Sequence, residues 1–177
     1  MSPANAGSIE PTWTEAGREH RPLFPTFTCT TPRPRADSGR TLAHPKPWEW
    51  EVQAHIRQLK TPVHRDVVQL GLMGQELVSV AQFVIDESAS VPVVFIRVIG
   101  VTLRARGEGG GVADATLEQV VNRSAKRLRM LGHSRFVLLG NVHTDNKASQ
   151  SMLARAGFTA TERREGPYVR WVLLAEY

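Results

Sequence analysis

The chain has 177 residues, enough for one domain with a sizeable core and too few for two large ones. Its 41% hydrophobic content suits a globular protein, and no apolar run approaches the roughly 20 residues that span a bilayer, which excludes a helical membrane protein. The net charge of +5 favours anionic partners (nucleic acid, acidic lipid or a phosphorylated cofactor), and the single cysteine, Cys29, excludes an internal disulfide.

Residues 1–22 are polar and rich in Pro, Ala, Gly and Glu, so the composition predicts a disordered tail before a single domain over 23–177. The tail lacks the basic start and apolar core of a signal peptide, so a cytoplasmic protein is expected. Leu23–Thr30 predicts a short strand that Pro25 pushes to a sheet edge. No motif surrounds Cys29, which reads as a buried structural thiol. Residues 31–46 carry Pro32, Pro34 and Pro45 among arginines and predict a loop.

Pro47–Leu59 predicts a helix, with proline at its first position and early glutamates at the positive end of its dipole. Trp48, Val52, Ile56 (or His55) and Leu59 fall near one face. Val67–Met73 and Leu77–Ile85 predict a hairpin around Gly74-Gln75-Glu76, and Val91–Val101 a further strand. Val112–Leu131 reads as an amphipathic helix with Leu117, Val121, Leu128 and Leu131 on its apolar face. Arg135–Leu139 predicts a short buried strand and Asn146–Ala156 a helix closed by Gly157. Phe158–Arg163 and Tyr168–Leu174 predict a terminal hairpin across Glu165-Gly166-Pro167. The order is that of an α/β protein with a mixed sheet and no internal repeat.

Between the strand ending at Val101 and the helix opening at Val112 lies Arg106-Gly107-Glu108-Gly109-Gly110-Gly111. Glycines let a backbone approach a ligand closely. The first N–H groups of the helix lack intrahelical partners and lie at its positive end. Strand, glycine-rich turn and helix N-terminus together suit a phosphate, here a pyrophosphate. The spacing fits neither the G-x-G-x-x-G of a dinucleotide fold nor the G-x-x-x-x-G-K-[ST] of a nucleotide-triphosphate loop. It fits R-x-x-G-x-G, at Arg106, Gly109 and Gly111. Downstream, Asn146 to Phe158 follows N-x-x-[AS]…G-F.

These two motifs, in this order and with a strand between them, resemble the GNAT superfamily of N-acetyltransferases over roughly Val67 to Leu174. The resemblance implies a mixed, mostly antiparallel central sheet flanked by helices, with a splayed strand that binds acyl-CoA. Acetyl-CoA would be the cosubstrate. Its pyrophosphate would rest on the backbone of Gly107, Glu108, Gly109, Gly110, Gly111 and Val112, with Arg106 at the loop entrance. Ile99, Gly100 and Val101 match the positions whose backbone hydrogen-bonds the pantetheine arm. Asn146 matches the asparagine that reaches that arm, and it equally suits a helix N-cap.

The chain departs from the family at two places. Many relatives carry a glutamate as general base where this chain has Phe95, and a tyrosine as general acid where it has Leu153. His143, whose imidazole can take or give a proton, and Tyr168 are the substitutes available for proton transfer; each also suits a structural role. Arg97 shares strand parity with Phe95 and would face the acceptor cleft. It would meet an acidic group on the acceptor, or a protein acid such as Glu51 or Asp86. Phe95, Trp48 and Trp50 would wall that cleft; the two tryptophans suit the core equally well.

Arg123, Lys126, Arg127 and Arg129 share no narrow stripe and read as a solvated face. The six histidines show no metal-ligand spacing. The function expected is transfer of an acetyl group from acetyl-CoA to a primary amine by direct attack. The acceptor would be a small molecule or a protein N-terminus, with no membrane partner, and a homodimer is compatible. Two alternatives stand beside this: a catalytically degenerate acyl-CoA-binding module, and a toxin that acetylates aminoacyl-tRNA, which the basic pI of about 10 motivates. No nucleic-acid motif supports tRNA, which is the less favoured partner.

Overall fold

The computed structural model describes residues 10–60, 66–107 and 111–176. A seven-stranded sheet runs in the order β1-β2-β3-β4-β5-β7-β6. Its strands are β1 (Thr12–Glu15), β2 (Asp66–Met73), β3 (Glu76–Asp86), β4 (Val93–Val101), β5 (Arg135–His143), β6 (Thr159–Glu165) and β7 (Tyr168–Glu176). The helices are α1 (Pro47–Arg57), α2 (Gly111–Met130) and α3 (Lys147–Arg155). Among the described strands only β4 and β5 pair in parallel, and α2 is the crossover that a parallel pair requires. The hairpin of β2 and β3 turns at Gly74, whose φ of +64° favours glycine.

Apolar side chains gather into two clusters. One joins Leu117, Val120 and Leu128 of α2 and Met152 and Leu153 of α3 to Phe83, Val94, Ile96, Phe136 and Leu138 of the sheet. The other sets Ile56 of α1 with Phe24, Phe27 and Cys29 against Leu70, Val80 and Val98. Successive residues of β3 serve opposite clusters, as a pleated strand dictates: Val80 joins the second, Ala81 the first. β4 breaks that rule. Val94 and Ile96 join the first cluster, but Val98 joins the second. The ladder explains the switch: Phe83 pairs with Ile96 and Gln82 with Val98, which leaves Arg97 as the extra residue of a β-bulge.

Three expectations are corrected. Residues 12–22 of the expected tail are not disordered: Thr12–Glu15 pairs antiparallel with β2, and Arg18–Leu23 forms a 3-10 helix. The free edge of β2 needs hydrogen-bond partners whatever the composition of the segment that supplies them. With that edge filled, Leu23–Thr30 forms no strand, and Phe24, Phe27 and Cys29 enter the core instead. On α2 the buried residues are Thr116, Leu117, Val120, Ser124 and Leu128, while Leu131 lies past the helix and is 53% exposed. The remaining elements match expectation, with α1 two residues shorter and β5 four longer. Residues 31–46 are a loop with one bridge, Arg35 to Thr41. Trp50 turns to this loop, stacking on His44 and lying under the Arg33 guanidinium at 4.6 Å, and so enters neither cluster and does not wall the cleft expected of it.

Candidate active site

Pairing between β4 and β5 ends at Ile96 and Gly140, although β4 runs on to Val101 and β5 to His143. The strands splay beyond that point. The flank of β4 from Arg97 onward that faces β5 therefore has no ladder partner there. Two cavities occupy the gap. A smaller one of about 360 Å³ is lined by Ile99, Gly100, Val101, Arg106, Gly107 and Asn146, among others. A larger one of about 670 Å³ is lined by residues that include Trp48, Glu51, Phe95, Arg97, His143 and Tyr168. They share Trp48, Val52, Ile99, Asn146, Ser149 and Met152, so they meet between β4 and α3.

The smaller cavity is shaped by backbone. Gly100 has no side chain because α1 packs across it: a Cβ there would lie 2.5 Å from Ile56 Cδ1 and 3.1 Å from Phe27 Cε1. Arg106 folds back at the cavity mouth. Its Nη1 donates to Glu49 Oε1 at 3.0 Å, its Nη2 to the Cys29 carbonyl at 2.5 Å and its Nε to the Val101 carbonyl at 3.3 Å. Partial burial pushes the Glu49 carboxyl up, but Arg106, the Thr30 hydroxyl and Lys46 together hold it below the usual carboxylate value. Burial pushes the Cys29 thiol up to about 11 against the pull of Arg106, and the thiol is free and buried, as expected of a structural cysteine. Gly111 and Val112 open α2; Gly107 and Ala113 line the cavity and Val112 does not. Glu108, Gly109 and Gly110 lie outside the described residues. Asn146 lines the cavity and caps α3 as well: its Oδ1 accepts from the Ser149 N–H at 3.2 Å, and its Nδ2 donates to the Ser149 hydroxyl at 2.9 Å.

The larger cavity is a chamber of aromatic and titratable groups. Trp48 stacks on His143 at 4.5 Å, and His143 meets Tyr168 edge-on at 5.4 Å. The Asp145 N–H donates to His143 Nδ1 at 3.1 Å, which places the proton of the neutral ring on Nε2. The Tyr168 hydroxyl donates to Glu51 Oε2 at 2.5 Å. Burial first, then Glu51, pushes the Tyr168 hydroxyl up to about 12.

Arg97 lines the same chamber, and its Nε lies 2.9 Å from the carboxylate of Asp66, a partly buried group, rather than against Glu51 or Asp86. Asp66 also accepts from Gln82 Nε2 at 2.5 Å, and Gln82 Oε1 is 2.5 Å from His55 Nε2. The bulge brings Arg97 to this chain of groups.

The sequence matches no family model and no curated protein. Solved structures do match the fold. The GNAT domain of PAT from S. lividans aligns with a TM-score of 0.62 at 15% identity, over 99% of this chain and 100% of that one. The ribosomal-protein-S18-alanine N-acetyltransferase from Escherichia coli aligns at 0.59 and 13% identity, over 94% of each chain. An acetyltransferase of the GNAT family from Streptococcus pneumoniae aligns at 0.58 and 14%, over 93% and 99%. The chain has the GNAT fold.

Within that fold, the residues singled out from the sequence converge. Ile99, Gly100, Val101, Arg106, Gly107 and Asn146 line one cavity; Trp48, Phe95, Arg97, His143 and Tyr168 line the other. Phe95 and Leu153 line the larger one too, and neither holds a proton. Asp66 is a functional candidate that the sequence reading missed, and Glu51 entered that reading only as a partner for Arg97. A signal for Glu51 was present: Trp48, Glu51, Val52 and His55 stand three, four and seven apart and all line this chamber. No signal pointed to Asp66, whose role follows from the bulge. Among the described residues no His, Cys, Asp or Glu cluster could hold a metal, and no helix is long and apolar enough to cross a membrane.

Proposed function

We propose that this chain is an acetyl-CoA-dependent N-acetyltransferase acting on a primary amine. The observation that carries the proposal is the splay of β4 from β5, which joins two cavities of different chemistry. The smaller cavity suits the cosubstrate. Unpaired backbone groups of Ile99, Gly100 and Val101 can bind a ligand's amides as an added strand would. The N-terminus of α2, after a glycine-rich turn, suits a pyrophosphate. Arg106 adds its charge at the entrance and holds the turn to α1 through Glu49. Asn146 stands between the chambers, its capping bond fixing its orientation.

Acetyl-CoA supplies a thioester carbonyl carbon; the amine adds there, the C–S bond breaks, and CoA leaves as the thiol. The protein positions the amine in a walled chamber, which supplies much of the acceleration for such a reaction. A backbone N–H of β4 stabilises the oxyanion. His143, as its Nε2–H tautomer, and Tyr168 are donors in the chamber; neither is free to act as a base in that state. The amine belongs to a small molecule or a protein N-terminus. The E. coli protein of the same fold is named for an alanine of ribosomal protein S18.

Thermal melting with acetyl-CoA tests this reading. At 100 times its dissociation constant the ligand adds about 2.7 kcal/mol of stability. We expect that shift in the wild type and its loss in Gly109→Glu, which puts a negative charge in the loop. No shift in the wild type overturns the proposal. A second reading, an acyl-CoA-binding module without turnover, rests on Phe95 and Leu153; it predicts the shift with no thiol released from any amine.

A further inference from the structure

We propose that Glu51 receives the acceptor, binding a primary ammonium in the larger chamber and taking one proton from it. The inference rests on the acetyltransferase reading and names the residue and the acceptor class for that site. A base is required because an amine is protonated at neutral pH and has no lone pair for attack until it loses a proton. Phe95 and Leu153 cannot take that proton.

The titratable and charged groups around the chamber are Glu51 and His55 of α1, Arg97 of β4, His143 of β5, Glu165 of β6 and Tyr168 of β7. His143 Nδ1 and His55 Nε2 are engaged, with the Asp145 N–H and with Gln82. Arg97 is paired with Asp66. Glu165 accepts from Asn141 Nδ2 at 3.3 Å. Tyr168 is a donor already committed to Glu51. Neither Glu51 nor Glu165 makes an ion pair among the described residues, and Glu51 is the one of the two that the Tyr168 hydroxyl orients. Its carboxylate is therefore an uncompensated negative charge in the chamber, with lone pairs left for a second donor.

The walls around it are aromatic. Trp48, Phe95 and Tyr168 line the chamber with Glu51, and a cation beside aromatic faces gains electrostatically while its apolar stem is buried. The proton balance is direct. R–NH3⁺ and the Glu51 carboxylate become R–NH2 and the Glu51 carboxylic acid. Glu51 is solvent-exposed and passes the proton to water. The Tyr168 hydroxyl keeps the carboxylate oriented throughout. The pairing of Arg97 with Asp66 sets the other half of the class: an acidic group on the acceptor is not what this chamber selects.

The test is calorimetric titration of the full chain with tyramine, which carries an ammonium; tyrosol, its hydroxyl isostere; and tyrosine, which adds a carboxylate. The expected result is tyramine at least about tenfold tighter than tyrosol, the scale of one charge-assisted hydrogen bond. Tyrosine should bind no tighter than tyramine. Glu51→Gln should erase the preference for tyramine, and Glu51→Asp should keep part of it. Equal binding of tyramine and tyrosol in the wild type, including no binding of either, overturns the proposal. So does a preference that survives Glu51→Gln. Tighter binding of tyrosine, lost in Arg97→Gln, overturns the acceptor class in favour of an acidic amine. Glu51→Gln must keep the wild-type thermal shift with acetyl-CoA, which shows that it folds. Loss of that shift from the wild type instead would sink the acetyltransferase reading itself.

Discussion

Arg106 and Glu49 are 57 positions apart in sequence and lie in contact, with Nη1 3.0 Å from Oε1. This contact fastens the entrance of the glycine-rich turn to α1. The same guanidinium covers the Cys29 and Val101 carbonyls. Arg106→Met removes those donors, and each buried acceptor left unsatisfied costs about 1–3 kcal/mol. The expected outcome is a lower melting temperature together with weaker acetyl-CoA binding, measured by melting with and without ligand.

Glu49 gives this contact a pH signature. Its carboxyl sits below the ordinary value of 4.5 in the folded state, so the stability it contributes is present above that pH and is lost as pH falls through the folded value. Melting temperature plotted against pH should fall below about pH 4.5 in the wild type. Glu49→Gln should lower the plateau and flatten that acid limb. An unchanged limb would assign the acid sensitivity to other carboxylates.

Tyr168 gives an alkaline signature with the opposite sign. Its folded value of about 12 lies above the ordinary 10.0, so its contribution is complete below pH 10 and lost as pH rises toward 12. The chain has two tyrosines, so absorbance titration can resolve them. One should ionise late in the wild type and be missing from Tyr168→Phe. Glu51→Gln should bring the late transition closer to pH 10, because it removes the charge but leaves the burial.

Gly100 probes the packing of α1 on β4. A methyl group there meets Ile56 Cδ1, Phe27 Cε1 and Val52 Cγ1, all within 3.2 Å. Gly100→Ala should destabilise the fold by about 1–3 kcal/mol through overpacking, measured by denaturant unfolding. Gly107→Ala serves as the control, because a Cβ at Gly107 meets nothing within 4 Å.

Most elements, and the two motifs at Arg106–Gly111 and Asn146–Phe158, were legible in the sequence because they are local. Pro47 opens α1, Gly74 turns the β2–β3 hairpin and Gly157, with φ of +86°, follows α3, each where chain geometry demands it. The edge strand Thr12–Glu15 was not legible, because its partner is the backbone of β2 and, Trp13 apart, its own side chains are polar, with none of the four fully buried. The bulge at Arg97 was hidden for a related reason. It is a mismatch between two strands, so alternation along β4 alone put Arg97 in simple register with Phe95.

The amino-acid order by itself determined the α/β pattern, the glycine-rich turn at the head of α2 and the loss of proton-carrying groups at Phe95 and Leu153. These depend on periodicity, backbone freedom and side-chain identity, which neighbours in the chain express. Only the tertiary structure decided that Arg97 faces Asp66, that Arg106 faces Glu49 and that Tyr168 reaches Glu51 from 117 residues away. Those pairings follow from where β4 and β5 part and where α1 crosses them. Strand register and helix placement are set by the whole core packing at once, and no local segment carries them.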